Sequence, residues 1–305
     1  MSTLTGEPLL PGGVETSFAG IDAALARVGH GRRRHQPRGL TATVIVVGPR
    51  ERLVEAADAL EHLVGMRAIL IAEGGETSPT IRVTDHAIAI DGLRNDYINN
   101  AVAALRLSSL PSLVWWRGGT PESLEDLAQL ADRLVLDTAD PQAVWDRART
   151  LFDRAAFTDL RWTWLTRWRA LMAHLLDIPE VRDRAASLTA LRVDAGDAHM
   201  ARLFSAWLRS SLEWGGTLAT ELRNVPGGAP LEAVHLGDER QGLTLRLMPG
   251  RTCVEAVASI EGHPGATQTI SLGDQGLAAL LNEELRIRVR DMAFEKALGA
   301  LHSAG

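Results

Sequence analysis

The side chains that most often perform catalysis are present, but they do not stand in the spacings that their chemistry needs. The nine histidines form no His-Glu-x-x-His zinc motif, and no Gly-x-Ser-x-Gly nucleophile turn occurs. One cluster, Asp194, Asp197 and His199, has residue types suited to a cation site or to acid–base chemistry. The same residues are typical of a helix start with Asp197 as its N-cap, and we adopt that interpretation. Glu283 and Glu284 are interpreted as a solvated helix face.

Phosphate-binding motifs are also absent from the sequence. A Walker loop needs Gly-Lys-Ser/Thr, and the one lysine, Lys296, lies in Phe-Glu-Lys-Ala-Leu. The turn at 48–52, after a predicted strand at 41–47, reads Gly-Pro-Arg-Glu-Arg. It has a single glycine, and its proline lacks the N–H group that would face a pyrophosphate. We therefore expect no cofactor, no metal and no catalytic residue, and hence a protein that is not an enzyme.

Composition narrows the class of protein further. The chain has 305 residues, a net charge of −6 and a hydrophobic share of 46%, which is ordinary for folded globular proteins. The negative balance does not attract a polyanion, so we expect no nucleic-acid partner. Cys253 is the only cysteine, which excludes an internal disulfide and sites with several thiolate ligands. Without a signal-peptide pattern or an apolar run of ~20 residues, we expect a cytoplasmic protein with no membrane partner.

Alternating helical and strand patterns predict a Rossmann-like first domain. Short apolar runs separated by helices of about 10 to 15 residues imply crossover connections, and hence a mostly parallel sheet with helices on both faces. We assign residues 39–157 to this domain, which has no dinucleotide fingerprint. Residues 1–38 are predicted to be an N-terminal arm, and its basic run at 31–35 is interpreted as a solvated loop.

The remaining residues, 158–305, are predicted to form a second α/β domain. It begins with one helix over 160–176, and its later strands are separated by Gly- and Pro-containing turns that favour antiparallel pairing. Helical sequence over 276–301 closes the chain. The predicted fold class is therefore α/β, with a mostly parallel N-terminal sheet and an antiparallel sheet portion in the second domain.

Tryptophan and arginine are concentrated in two short segments. These are Leu-Pro-Ser-Leu-Val-Trp-Trp-Arg-Gly at 110–118 and Asp-Leu-Arg-Trp-Thr-Trp-Leu-Thr-Arg-Trp-Arg-Ala-Leu at 159–171. Both residue types are enriched at the energetic centres of protein–protein interfaces. Core packing of Trp115 and packing of the second segment between the domains are the alternatives. The candidate partner-binding residues are Trp116, Arg117, Arg161, Trp162, Arg167 and Arg169.

The two segments resemble the most recognisable parts of the glucose-6-phosphate dehydrogenase assembly protein family, OpcA, and the order of elements agrees over about residues 40–300. The resemblance implies a non-enzymatic activator that binds glucose-6-phosphate dehydrogenase and promotes its active assembly in the oxidative pentose phosphate pathway. Photosynthetic members of the family are associated with redox control through cysteines. We do not expect that control in this chain, because Cys253 is its only cysteine and cannot form an internal disulfide. A sugar-phosphate or nucleotide-binding enzyme, with a pocket at the strand carboxyl ends near Gly48 or Arg117, is the alternative.

Overall fold

The computed structural model contains two compact units, which are described separately below. Unit 1 is Met1–Leu160 with Leu277–Arg290, and unit 2 is Arg161–Gly276 with Asp291–Gly305. The predicted second domain, 158–305, included the whole C-terminus, whereas the structure assigns 277–290 to unit 1. The residues that the structure describes are 8–30, 40–61, 63–75, 78–184, 187–212, 218–238, 241–261, 265–287 and 289–302.

The basic run at 31–35 and the first seven residues of the predicted arm lie outside the described residues. Within the described part of the chain, no helix has both the length and the apolar character needed to cross a bilayer.

The strands are β1 Val14–Thr16, β2 Ala42–Gly48, β3 Met66–Glu73, β4 Thr80–Val83, β5 Ala87–Leu93, β6 Ser112–Trp116, β7 Arg133–Leu136, β8 Ala156–Asp159, β9 Ala190–Ala195, β10 Ala219–Asn224, β11 Ala233–Gly237, β12 Gly242–Leu247, β13 Cys253–Ser259 and β14 Ala266–Ser271. The α-helices are α1 Ile21–His30, α2 Arg50–Glu61, α3 Ile98–Leu105, α4 Ser123–Leu130, α5 Gln142–Arg149, α6 Leu160–Trp164, α7 Thr166–Leu176, α8 Pro179–Arg182, α9 Ala198–Leu212, α10 Leu277–Arg286 and α11 Met292–His302.

Unit 1 is built on an eight-stranded sheet in the order β1-β4-β5-β3-β2-β6-β7-β8. The pairs from β5 to β8 are all parallel, while β4 is antiparallel to both β1 and β5. The central strand β2 reads Ala-Thr-Val-Ile-Val-Val-Gly and buries six of its seven residues, as expected for a parallel strand covered on both faces. The predicted Rossmann-like, mostly parallel sheet is confirmed.

Unit 2 contains a six-stranded sheet in the order β10-β9-β11-β12-β13-β14. Four of its five strand pairs are antiparallel, which confirms the predicted antiparallel sheet in the second part of the chain. The antiparallel pairing predicted for the later strands was wrong for β10, which runs parallel to β9. Helix α9 connects these two strands and provides the crossover that parallel pairing requires.

Two further differences follow from local chemistry. Strand β8 was missed because Ala-Phe-Thr-Asp is short and half polar, yet Thr158 and Asp159 are buried where β8 pairs with β7. The predicted helix over 160–176 is divided at Leu165, whose φ of −74° and ψ of −5° depart from α-helical geometry.

Candidate functional site

The carboxyl ends of β2 and β6 form the position where open α/β sheets hold their ligands, because the strand order reverses there. In this chain Arg117 fills that position, and the residue is only 2% exposed. Its Nε lies 2.8 Å from Asp137 Oδ2, and its Nη2 lies 2.8 Å from Glu55 Oε2. Its Nη1 donates a hydrogen bond to the carbonyl oxygen of Arg52. All three nitrogens of the buried guanidinium therefore have partners within unit 1.

Close packing of the backbone helps to seal this position. A Cβ atom at Gly48 would lie 3.1 Å from the Cβ of Arg117, so a larger residue would press on the buried arginine. Arg52 Nη2 lies 2.9 Å from Asp137 Oδ1, and the Asp137 carboxylate is thus shared between two arginines. The Trp115 ring lies 4.5 Å from Arg117 Cζ and covers the guanidinium by a cation–π contact. The Arg117 guanidinium and its partners thus lie at the carboxyl edge of the sheet, the edge at which dinucleotide-binding folds hold a pyrophosphate.

Glu73, at the carboxyl end of β3, is a half-buried acid beside a glycine-containing loop. Burial raises the pKa of Glu73 to about 7. A Cβ atom at Gly119 would lie only 2.6 Å from Glu73 Oε1, and Gly119 has a φ of +119° that L-residues rarely adopt. Glycine at this position therefore allows the carboxyl group to lie against the backbone. Shifted acids of this kind occur at functional sites and also in buried structural positions.

Replacing Glu73 with glutamine is expected to remove a pH-dependent loss of stability. The pKa is raised from 4.5 to about 7, so the folded state binds the proton more tightly and stability falls as pH rises through that interval. Because solvent screens this half-buried group, we expect the wild type to lose ~1–2 kcal/mol more than Glu73→Gln between about pH 5 and about pH 8. Urea unfolding at both pH values measures the difference. Parallel pH profiles would contradict the raised pKa.

In unit 2, Trp162 and Arg169 form a stacked pair inside the second tryptophan- and arginine-rich segment. Arg169 Cζ lies 3.5 Å from the centre of the Trp162 ring, and Arg169 Nη2 donates to the Trp162 carbonyl oxygen at 3.2 Å. The indole Nε1 donates to Asp291 Oδ2 at 2.7 Å, and the ring packs on Phe294 with centroids 5.5 Å apart. Trp162 is 1% exposed, so these contacts anchor the segment to α11 and the residue that precedes it.

Asp197 joins the same segment to the start of α9. One carboxylate oxygen lies 2.9 Å from Arg161 Nε, and the other accepts backbone hydrogen bonds from His199 at 2.8 Å and Met200 at 3.2 Å. The interpretation of Asp197 as a helix cap is confirmed. Across the described residues, no group of three or more His, Cys, Asp and Glu side chains is arranged to hold a metal ion.

The six predicted partner-binding residues lie in two groups, one in each unit. Trp116 and Arg117 are buried in unit 1, where the indole Nε1 of Trp116 lies 3.3 Å from Ser123 Oγ. In unit 2, Arg167 is exposed on α7 and Trp162 is buried, while Arg161 and Arg169 are partly exposed. The buried members serve ion pairing and packing within their own units, and Arg167 is the most accessible of the six. A partner contact by any of these residues stays a prediction.

Sequence reasoning misread Glu284, which is not on a solvated helix face. The residue is 1% exposed, and its Oε2 lies 2.9 Å from Nε of Arg133 at the start of β7. Thr158 Oγ1 lies 3.3 Å from Glu284 Oε1, and Arg133 Nη1 donates to the Val289 carbonyl oxygen at 3.0 Å. The signal that was available is helical spacing, because Glu284 shares a face with the buried Leu280 and Leu281.

Two curated relatives come from cyanobacteria, and the names of both include OpcA and the OxPP cycle. The protein of Nostoc punctiforme is 25% identical over 249 residues, which covers 66% of this chain and 53% of the relative. The protein of Synechococcus elongatus is 32% identical over 126 residues, which covers 38% of this chain and 28% of the relative. The matched regions therefore span about half or less of these relatives.

A solved structure of the yeast repressor Gal80p, from Saccharomyces cerevisiae, shares the fold. It has a TM-score of 0.50 at 8% sequence identity and covers 87% of this chain and 94% of Gal80p. At that identity the likeness concerns the fold alone.

Residues 155–298 match the OpcA family model that describes the C-terminal domain of a glucose-6-phosphate dehydrogenase subunit. Together with the cyanobacterial relatives, this match confirms the resemblance of the chain to the OpcA family, and residues 155–298 carry the match to that family's C-terminal domain.

Proposed function

We propose that this chain is a non-catalytic accessory protein that binds glucose-6-phosphate dehydrogenase and promotes its active assembly. The match of residues 155–298 to a domain described as part of a glucose-6-phosphate dehydrogenase subunit supports a role linked to that enzyme and to the OxPP cycle. The single observation that carries the non-catalytic part is Arg117, which fills the ligand position of the Rossmann-like sheet with an internal ion pair.

The energetics of that ion pair favour a closed crevice. A ligand phosphate at the carboxyl ends of β2 and β6 would have to displace Arg117 from Asp137 and Glu55. The displaced carboxylates would then repel the phosphate and, where they are buried, lose their charge partner. Because its own side chains fill the usual ligand position of the fold, we infer that the protein acts through its surface. It would do so by binding one state of a partner more tightly than another.

The proposal is tested by adding this chain, in increasing amounts, to purified glucose-6-phosphate dehydrogenase. We expect the initial rate of the dehydrogenase to rise and then saturate, and light scattering to show a larger or more uniform oligomer over the same range. The isolated chain should show no dehydrogenase activity at any concentration. An unchanged rate together with an unchanged oligomer size would overturn the proposal.

The alternative is a sugar-phosphate or nucleotide-binding enzyme, and Glu73 is the observation that favours it. A carboxyl group with a pKa of about 7 is suited to general acid–base chemistry at neutral pH. Thermal unfolding with NADP⁺ or glucose 6-phosphate separates the two functions, since a ligand at 100 times its Kd stabilises a protein by about 2.7 kcal/mol. The accessory function predicts no shift in Tm with either compound.

Replacing Arg167 with glutamate is expected to weaken the complex with the dehydrogenase without changing the stability of the chain. Arg167 is exposed on α7, so a charge reversal there leaves the core intact and changes Tm little. Arginines at interface centres commonly contribute ~2 kcal/mol or more, so Kd should rise about thirtyfold. Arg182→Glu, at an exposed position on α8, is the matched control and should bind normally. Equal Kd values for the two variants would remove Arg167 from the binding surface.

A further inference from the structure

The six-stranded sheet of unit 2 has one covered face and one open face. Alternate residues of β9, β11, β12 and β13 are buried beneath α7 and α9. The residues between them point to the opposite face and are partly or fully exposed, apart from the paired glycines Gly237 and Gly242 beside the turn. The outer strands β10 and β14 are exposed along almost their whole length. A broad, flat surface is thus available to a partner.

The open face carries two straight rows of side chains, and each row crosses all six strands. The strand registers place the members of each row directly beside one another. The first row consists of Glu221, Arg192, His235, Thr244, Val257 and Thr267. The second row consists of Arg223, Asp194, Ala233, Arg246, Glu255 and Thr269.

Opposite charges stand next to one another on this face. On β10, Arg223 Nε lies 2.8 Å from Glu221 Oε1, and this hydrogen bond lowers the pKa of the Glu221 carboxyl below its usual value. On β9, Arg192 Nε lies 3.8 Å from Asp194 Oδ1. The two rows together hold three arginines and three carboxylates, so the face has no net charge to attract a partner of one sign. Recognition must instead depend on the arrangement of the charges.

We propose that a second copy of this chain binds here. The two copies are related by a two-fold axis that lies in the plane of the open face. This axis runs parallel to the two rows and lies midway between them. Such a rotation places the first row of each copy over the second row of the other. Glu221 then faces Arg223 of the second copy, and Arg192 faces Asp194 of the second copy. Each pair occurs twice, as a two-fold interface requires.

The remaining charges are compatible with the same axis. Arg246 lies over Thr244 of the second copy, and Glu255 lies over Val257 of the second copy. No two like charges therefore face each other anywhere along the rows. The rotation also aligns the strands of the two sheets, which is one of the two usual ways in which sheets pack face to face.

The size of the face indicates a weak, reversible dimer. Six strands spaced ~4.8 Å apart, with about six residues rising ~3.3 Å each, give a face of ~29 by ~20 Å. The two copies together would bury roughly 1,100 Å², close to the lower limit for a specific interface. Because its specific contacts are ion pairs, the dimer should also weaken as salt is added.

Sedimentation velocity on the full chain, at concentrations from about 1 to about 200 µM, tests this inference. We expect a monomer–dimer equilibrium in the wild type. Glu221→Arg places two arginines opposite each other twice, and should raise the dimer Kd at least ~tenfold. The swap variant Glu221→Arg with Arg223→Glu restores opposite charges across the axis and within β10, and should bring the Kd back to within about threefold of the wild type.

Glu283→Arg, the same change at an exposed position on α10, is the control and should leave the Kd unchanged. A chain that is monomeric throughout the concentration range overturns the inference. So does a dimer that is equally stable in Glu221→Arg, or one that the swap variant fails to recover. If Glu221→Arg abolished binding of the dehydrogenase by a monomeric wild type, the open face would belong to that partner. The inference does not rest on the proposed function, and the activation assay above can succeed whether or not the chain dimerises.

Discussion

Replacing Arg117 with alanine is expected to lower the free energy of unfolding by ~3–5 kcal/mol, the usual cost of removing one partner from a buried ion pair. The variant would remove an ion-pair partner from two carboxylates, since Arg117 lies 2.8 Å from both Asp137 and Glu55. Asp137 would be the more affected, because its side chain is 15% exposed whereas that of Glu55 is 61% exposed. Arg52 still binds Asp137 at 2.9 Å, which places the expected loss toward the lower end of the range.

A second arginine in unit 1 provides the control for this change. Arg149 Nη1 lies 3.9 Å from Asp146 Oδ1 on the surface of α5, so Arg149→Ala should cost less than ~1 kcal/mol. Urea unfolding of both variants, followed by circular dichroism, gives the comparison. If Arg117→Ala were as mild as the control, the crevice would not be held closed by its ion pairs.

The parts of the fold that the sequence revealed are those that local patterns determine. The run at β2 is almost entirely apolar because a central parallel strand is buried on both faces, and this pattern is visible without any structure. The cap at Asp197 was equally accessible, because an N-cap bonds to backbone two and three residues further along the chain. Strand β8 was hidden because Thr158 and Asp159 are polar residues that become buried only through contacts with distant segments.

The candidate sites depend on pairings that sequence patterns do not contain. Arg117 meets Asp137 because β6 and β7 are neighbours in the sheet, and it meets Glu55 because α2 follows the adjacent strand β2. On the continuous helix predicted over 160–176, regular 100° steps put Trp162 outside the arc of apolar side chains. Trp162 is nevertheless buried, because its ring packs on Phe294 of α11, a contact that periodicity within one helix does not reveal.

The buried pair between Glu284 and Arg133 joins positions 151 residues apart and anchors α10 to unit 1. Glu284→Ala would leave Arg133 buried without its carboxylate partner, and we expect a loss of ~3–5 kcal/mol in the free energy of unfolding. Helix α10 should also exchange its amide hydrogens faster, because its attachment to β7 is lost. Glu283→Ala, one residue away on the exposed side of the same helix, should change stability by no more than ~0.5 kcal/mol.

A double variant separates the pair's own contribution from the cost of leaving one charge unpaired. Arg133→Met with Glu284→Leu replaces the ion pair by apolar groups of similar size, a change that is often neutral or stabilising for buried pairs. We expect the double variant to recover to within ~1 kcal/mol of the wild type, whereas Glu284→Ala stays destabilised. Such a recovery would mean that the pair fixes the position of α10, because burying either charge without the other is costly. A double variant as unstable as Glu284→Ala would instead mean that the hydrogen bond from Thr158 to Glu284 holds the helix, since that bond is lost in both proteins.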